Sequence, residues 1–150
     1  MTPEQTIELI AVDALLDRVR AMRAQGYRLV QISATRLPEH VELTYSFDLQ
    51  GRLANLRLQL AASEARVPSI SPVYWCAFLY ENEMHDLFNL QVDGMAVDFH
   101  GNFYKTAVKH AFSTIPTSTA KPAPVATSTP KEAPAAAADA AKAATTVPVQ

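Results

Sequence analysis

Four ionisable side chains crowd one short stretch of the sequence: Glu81, Glu83, His85 and Asp86. On a helix, residues three or four apart share a face. Glu83 and Asp86 would then form a carboxylate pair able to act as acid and base. Glu81 and His85 would form a pair able to offer two ligands to a metal. Neither constellation is complete. The second histidine of a zincin helix is missing and no third ligand stands nearby, so no metal site is assigned. No nucleophile elbow or phosphate-cradling loop accompanies the carboxylates in a chain with only 4 glycines, and no catalytic residue is assigned. His85 reads as a partner for an acid on its own helix. Cys76, set among Trp75, Ala77 and Phe78, reads as a buried, inert thiol. His100 and His110 stand alone and read as surface residues.

The helix that must carry these residues runs from about Val73 to Phe88. Pro72 suits its first turn, and Trp75, Phe78, Leu79, Met84, Leu87 and Phe88 are its apolar positions. A break at Pro68 to Pro72 precedes it. Upstream, three runs alternate with a period of two: Tyr27 to Thr35, Val41 to Leu49 and Leu53 to Leu60. Gln50-Gly51-Arg52 reads as a tight hairpin turn and Arg36 to His40 as a short antiparallel connection. The chain opens with Ile7, Ile10, Ala11, Ala14, Leu15, Val19 and Met22 at three- and four-residue steps, a helical stripe that stops at Gly26. The expected fold is therefore α+β. An N-terminal helix packs on an antiparallel β-meander; a second helix carries the acidic motif, and a loop-rich end follows.

The expected domain covers residues 1–112. Residues 113–150 contain no aromatic side chain and are rich in Ala, Pro, Thr and Ser. Such a segment buries too little apolar surface to offset the entropy of ordering, and is expected to be a disordered tail.

Composition removes several function classes. The formal net charge is -2, so nothing electrostatic favours nucleic acid or an anionic membrane surface. The single cysteine cannot make an internal disulfide, and cannot by itself hold an iron-sulfur cluster. No secretory signal and no membrane-spanning run is expected, so membrane association would come through a partner.

The stretch Trp75-Cys-Ala-Phe-Leu-Tyr-Glu-Asn-Glu-Met-His-Asp-Leu-Phe88, continuing to Tyr104, resembles the signature of the NuoC-type hydrophilic subunit of respiratory complex I. In that family a helix carries Glu-Arg-Glu, two residues, then Asp-Leu-Phe-Gly. Glu81, Glu83, Asp86, Leu87 and Phe88 stand in those places. Asn82 replaces the Arg and Asn89 the Gly. The family's His-Pro and paired-Arg stretch is replaced by Gly94-Met-Ala-Val-Asp-Phe-His-Gly-Asn-Phe-Tyr104. This version is similar to the branch found in energy-converting nickel-iron hydrogenases of the Ech and carbon-monoxide-induced type.

Read from residues alone, three acids in six positions form a solvated face. The resemblance implies docking instead, with Glu81, Glu83, Asp86, Leu87 and Phe88 meeting neighbouring subunits. It further implies a non-catalytic chain without its own cofactor, on the cytoplasmic side of a membrane. The partners would be a nickel-iron large subunit, an iron-sulfur small subunit and, indirectly, integral membrane subunits. The complex would couple ferredoxin oxidation and proton reduction to ion translocation. The alternative membership is complex I itself, an NADH:quinone oxidoreductase. A free-standing enzyme using Glu83 and Asp86 lacks any pocket motif, and a binding module working through residues 113–150 is the remaining reading.

Overall fold

A computed structural model describes residues 5–63 and 65–114. In β3 (His40–Leu49) every second residue from Val41 to Phe47 is buried, while His40, Glu42, Thr44 and Ser46 are half-exposed. That alternation fixes one apolar and one polar face. β3 sits between β2 (Arg28–Arg36) and β4 (Arg52–Ala61), antiparallel to both. The hairpin from β3 to β4 turns on Gln50 and Gly51, at φ +53° and +83°. Two consecutive positive φ values mark the turn whose twist matches the strands it joins.

β1 (Gln5–Leu9) runs parallel to β4 and completes a sheet of order β1-β4-β3-β2. The expected N-terminal helix therefore stands, but its start is corrected. Ile7 and Ile10 fit a helical stripe, but Thr6 to Leu9 also alternates and forms a strand. A 3-10 turn, Val12–Ala14, then leads into α1 (Leu15–Ala24). Helix α1 buries Leu15, Val19 and Met22, the second half of the predicted stripe. It ends with Gly26 at φ +87°, where Gly26 N–H reaches Arg23 O and Tyr27 N–H reaches Met22 O. This paired bonding closes the last turn and requires the left-handed conformation that glycine adopts freely.

After β4, a three-residue strand β5 (Arg66–Pro68) pairs in parallel with β6 (Gln91–Asp93). The crossover between them contains α2 (Ala77–Phe88). Neither short strand is apparent from periodicity. The second helix begins four residues later than predicted, because Val73 and Tyr74 both bond to Ile70 O and close a turn instead. Leu15, Val19, Phe47, Leu56, Ala77 and Met84 share one core, so both helices cover the same sheet face. The opposite face is a polar ladder: Arg28–Asp48, Ser46–Asn55 and Arg57 with Thr44 and Glu42. The predicted tail, residues 113–150, lies outside the described residues except for Ser113 and Thr114.

Candidate docking surface

Helix α2 presents its polar side chains inward as well as outward. Glu81 is only 1% exposed. Its Oε1 accepts the Ile70 N–H at 2.7 Å and its Oε2 accepts the Ser69 hydroxyl at 2.7 Å. Ser71 Oγ lies 2.6 Å from Ser69 Oγ and accepts the Ala96 N–H at 2.9 Å. A chain of donors thus runs from Ala96 through Ser71 and Ser69 to the carboxylate. Burial pushes the Glu81 carboxyl above its ordinary range, and the bonds from Ser69, Ile70 and Ser71 partly oppose that rise. Tyr45 is also buried, and its phenol is raised by burial first and by the Glu81 charge second.

Asn82, the residue that replaces the family's Arg, is fully buried. Its Nδ2 donates to Phe78 O at 2.7 Å and Val97 O at 2.8 Å, and its Oδ1 accepts the Phe99 N–H at 2.9 Å. One turn later, Asp86 Oδ2 accepts the Tyr104 N–H at 2.8 Å. The last turn of α2 accepts two more backbone bonds, His110 N–H to Asp86 O and Phe112 N–H to Leu87 O. Residues 94–113 contain no helix or strand, yet they are laid onto α2 at Asn82, Asp86 and Leu87.

This irregular segment carries aromatic side chains to the surface. Phe99 packs on Phe103 at 5.3 Å and Phe103 on Tyr104 at 4.8 Å, while Phe112 packs on Phe88 at 5.5 Å. Phe99, Tyr104, Val108 and Phe112 are all exposed. Glu83 is half-buried, with the Tyr104 hydroxyl 3.5 Å from its Oε2. A second apolar patch lies at the start of α2, where Trp75 is 63% exposed and stacks on Phe78, next to exposed Leu79.

The structure divides the five residues named from sequence. Glu81 and Asp86 are buried and bonded within the chain, unlike a solvated or outward-facing carboxylate. Glu83, Leu87 and Phe88 are half-buried and reach the surface. Cys76 does not sit inside the helix as a buried thiol; it is exposed, at the residue preceding α2. Trp75 lies outside the helix and faces out. His85 bonds through Nδ1 to Leu90 O at 2.9 Å, not to an acid on its helix. His100 pairs with Asp98, as a surface residue does, but His110 is half-buried with its ring 6.4 Å from that of His85. Among the described residues no group of three metal-ligating side chains converges. A cleft beside β5 gathers Arg36, Ser63, Arg66 and Asn89, but no carboxylate or histidine of the described residues lines it. Sequence reasoning missed Asn82 as an organiser of the loop. Its only signal was the departure from the family's Arg.

The geometry is that of a mixed α+β domain with an irregular, aromatic segment clamped on its acidic helix. A family model described as the respiratory-chain NADH dehydrogenase 30 Kd subunit matches residues 8–102. The chain belongs to that family. Among solved structures, a chain of the membrane-bound sulfane sulfur reductase, an archaeal respiratory membrane complex, is similar at 23% identity with a TM-score of 0.59. The match covers 65% of this chain and 61% of that one. The trypsin-resistant fragment of Nqo5 is similar at 18% identity with a TM-score of 0.55, over 62% of this chain and 82% of the other. Both are likenesses of fold. No curated protein sequence matches. Among the described residues, no helix is long and apolar enough to cross a membrane.

Proposed function

We propose that this chain is a cofactor-free peripheral subunit of a membrane-bound, energy-converting nickel-iron hydrogenase. In this reading it docks the nickel-iron and iron-sulfur subunits and orients them on the cytoplasmic side of the membrane arm. The complex couples ferredoxin oxidation and proton reduction to ion translocation. The observation that carries the reading is the Gly94–Tyr104 stretch. It stands where the family's His-Pro and paired-Arg stretch would be, is pinned to α2 by Asn82 and Asp86, and turns Phe99 and Tyr104 outward. Large aromatic side chains held rigidly at a surface are the usual anchors of an interface. Glu83, Leu87 and Phe88 border the same surface. Membership of complex I is the second reading, favoured by the match to the respiratory-chain NADH dehydrogenase 30 Kd subunit family.

The test is a gentle-detergent pull-down from membranes with a tagged copy of the chain, with mass spectrometry of the recovered proteins and an assay of hydrogen evolution. A nickel-iron subunit, a cluster-bearing subunit and an integral membrane subunit are expected. A set of quinone-reductase subunits without hydrogen evolution would move the chain to complex I. Elemental analysis of the purified chain is expected to find neither iron nor nickel, and a stoichiometric amount of either would overturn the cofactor-free reading.

A further inference from the structure

The four-stranded sheet has two edges, and they are treated differently. Edge strands expose unpaired backbone groups, and proteins ordinarily blunt them with bulges, charges or a covering element. At β2 this is done. Its register shifts between Leu29 and Gln31, and the Tyr80 hydroxyl of α2 donates to Val30 O at 3.1 Å. At β1, among the described residues, there is no register shift and no side chain bonds to the outward-facing groups of Ile7 and Leu9. All five residues of β1 are exposed, with Ile7 at 54% and Leu9 at 64%.

The register says which groups face the open side. Ile10 N–H donates to Arg57 O at 2.9 Å. Backbone groups of successive strand residues point to opposite sides, so Thr6 and Glu8 turn theirs to β4, and Ile7 and Leu9 turn theirs outward. Ile7 pairs with Asn55 and Leu9 with Arg57, which places both side chains on the polar sheet face. The one charge of the strand, Glu8, lies on the opposite face and is paired with Arg18 of α1. The charge on β1 is thus engaged by Arg18 and lies on the face away from Ile7 and Leu9.

Resting on the reading of the chain as an assembly subunit, we propose that the open edge of β1 takes an extended segment of a partner subunit as a fifth strand. That segment is apolar where it lies beside Ile7 and Leu9 and polar between. A second copy of this chain is the less suitable occupant. An edge about 17 Å long and about 10 Å tall offers on the order of 200 Å² per partner, against roughly 800 Å² in a stable specific interface. The added strand must belong to a chain held by a larger contact elsewhere, as a partner subunit is.

Leu9→Pro tests this in the full chain. The Leu9 N–H faces the open side, so proline removes no bond within the sheet but blocks strand addition. Ile7→Lys with Leu9→Lys places charge on the same edge and keeps the test valid should proline disturb the fold. Both variants are expected to retain the circular dichroism of the wild-type chain and to lose at least tenfold of the recovered partners. Hydrogen exchange supplies the second readout. On assembly the amides of Ile7 and Leu9 should slow at least tenfold, and that of Glu8 should change little. A wild-type chain that draws no partner sinks both the membership and this inference. A wild-type complex in which the variants assemble equally well, with Ile7 and Leu9 exchanging freely, sinks the edge alone. Concentration-dependent dimers of the free chain that the variants abolish would overturn it in favour of self-pairing.

Discussion

Asn82 and Phe99 are joined across the surface of the domain: the buried amide oxygen of one accepts the backbone N–H of the other at 2.9 Å. The same amide gives both of its hydrogens to carbonyls, one in its own helix and one at Val97. One side chain therefore satisfies three backbone groups and fixes the entry of the irregular segment. Phe78 O keeps the helical N–H of residue 82, but Asn82→Ala takes the side-chain partner from Val97 O and from the Phe99 N–H, and a buried group so orphaned costs about 1–3 kcal/mol. The expected loss is roughly 2–4 kcal/mol in urea unfolding. Asn82→Asp should lose nearly as much, because a carboxylate cannot donate to Phe78 O and Val97 O. A loss below about 0.5 kcal/mol, the range of ordinary surface changes, would show that water replaces these bonds.

Glu81 makes stability depend on pH with a defined sign. Its carboxyl is raised in the folded chain above the ordinary value of 4.5. The folded state therefore holds the proton more tightly than the unfolded state. Its contribution is fully present below the ordinary value and falls as pH rises toward the raised one. Glu81→Gln keeps a neutral group at this site. The stability of wild type minus that of the glutamine variant should decline as pH rises above about 4.5 and then level off. A flat difference across that window would place the carboxyl back in its ordinary range.

Much of the fold was legible because one rule governed it locally. Val41, Leu43, Tyr45 and Phe47 alternate with polar residues, and so do their neighbours on β4. Gln50-Gly51 adds the turn between them. At Ile7 two rules compete. Ile7, Ile10 and Ala14 satisfy a helical step, while Thr6-Ile7-Glu8-Leu9 satisfies a strand. The pairing with β4, some 48 residues away in sequence, decides for the strand. β5 and β6 have three residues each, too few for any period to register. The site was legible in part. The spacing put Glu83 and Asp86 on one helix, but not the loops that bury Asp86 and Glu81. A run of acids ordinarily marks a wet face. Here Ser69, Ser71 and the amides of Ile70 and Tyr104 make two of those acids interior, and no local pattern announces them.

Glu83 and Asp86 should separate when changed one at a time. Glu83 is half-buried, and its contact with the Tyr104 hydroxyl is long at 3.5 Å. Glu83→Ala is expected to change stability by less than about 0.5 kcal/mol, as a surface change does. If this carboxylate meets a partner's basic group, the same variant should lower the yield of assembled complex in the pull-down. Asp86→Ala removes the acceptor of the Tyr104 N–H and should cost about 1–3 kcal/mol. Asp86→Asn keeps an acceptor oxygen and should recover most of that. Equal complex yield from wild type and Glu83→Ala would remove Glu83 from the docking surface.

Asn89 stands where the resembled family has Gly, and the backbone gives the reason. It caps α2 in the left-handed conformation, at φ +58° and ψ +32°. Glycine adopts that region without penalty, and asparagine is the side chain that tolerates it best. The chain has therefore kept the geometry with the next most suitable residue. Asn89→Gly should change stability by no more than about 1 kcal/mol in either direction, since relief of strain is offset by the freedom glycine gains when unfolded. Asn89→Val is the decisive variant. A β-branched residue adopts this region only under strain, so the last turn of α2 is expected to loosen. That turn carries Leu87 O, which holds the Phe112 N–H. Asn89→Val should thus destabilise the chain by about 1–3 kcal/mol, and also speed proteolysis within residues 104–113. Destabilisation without increased cleavage there would show that the aromatic segment is held independently of the helix end.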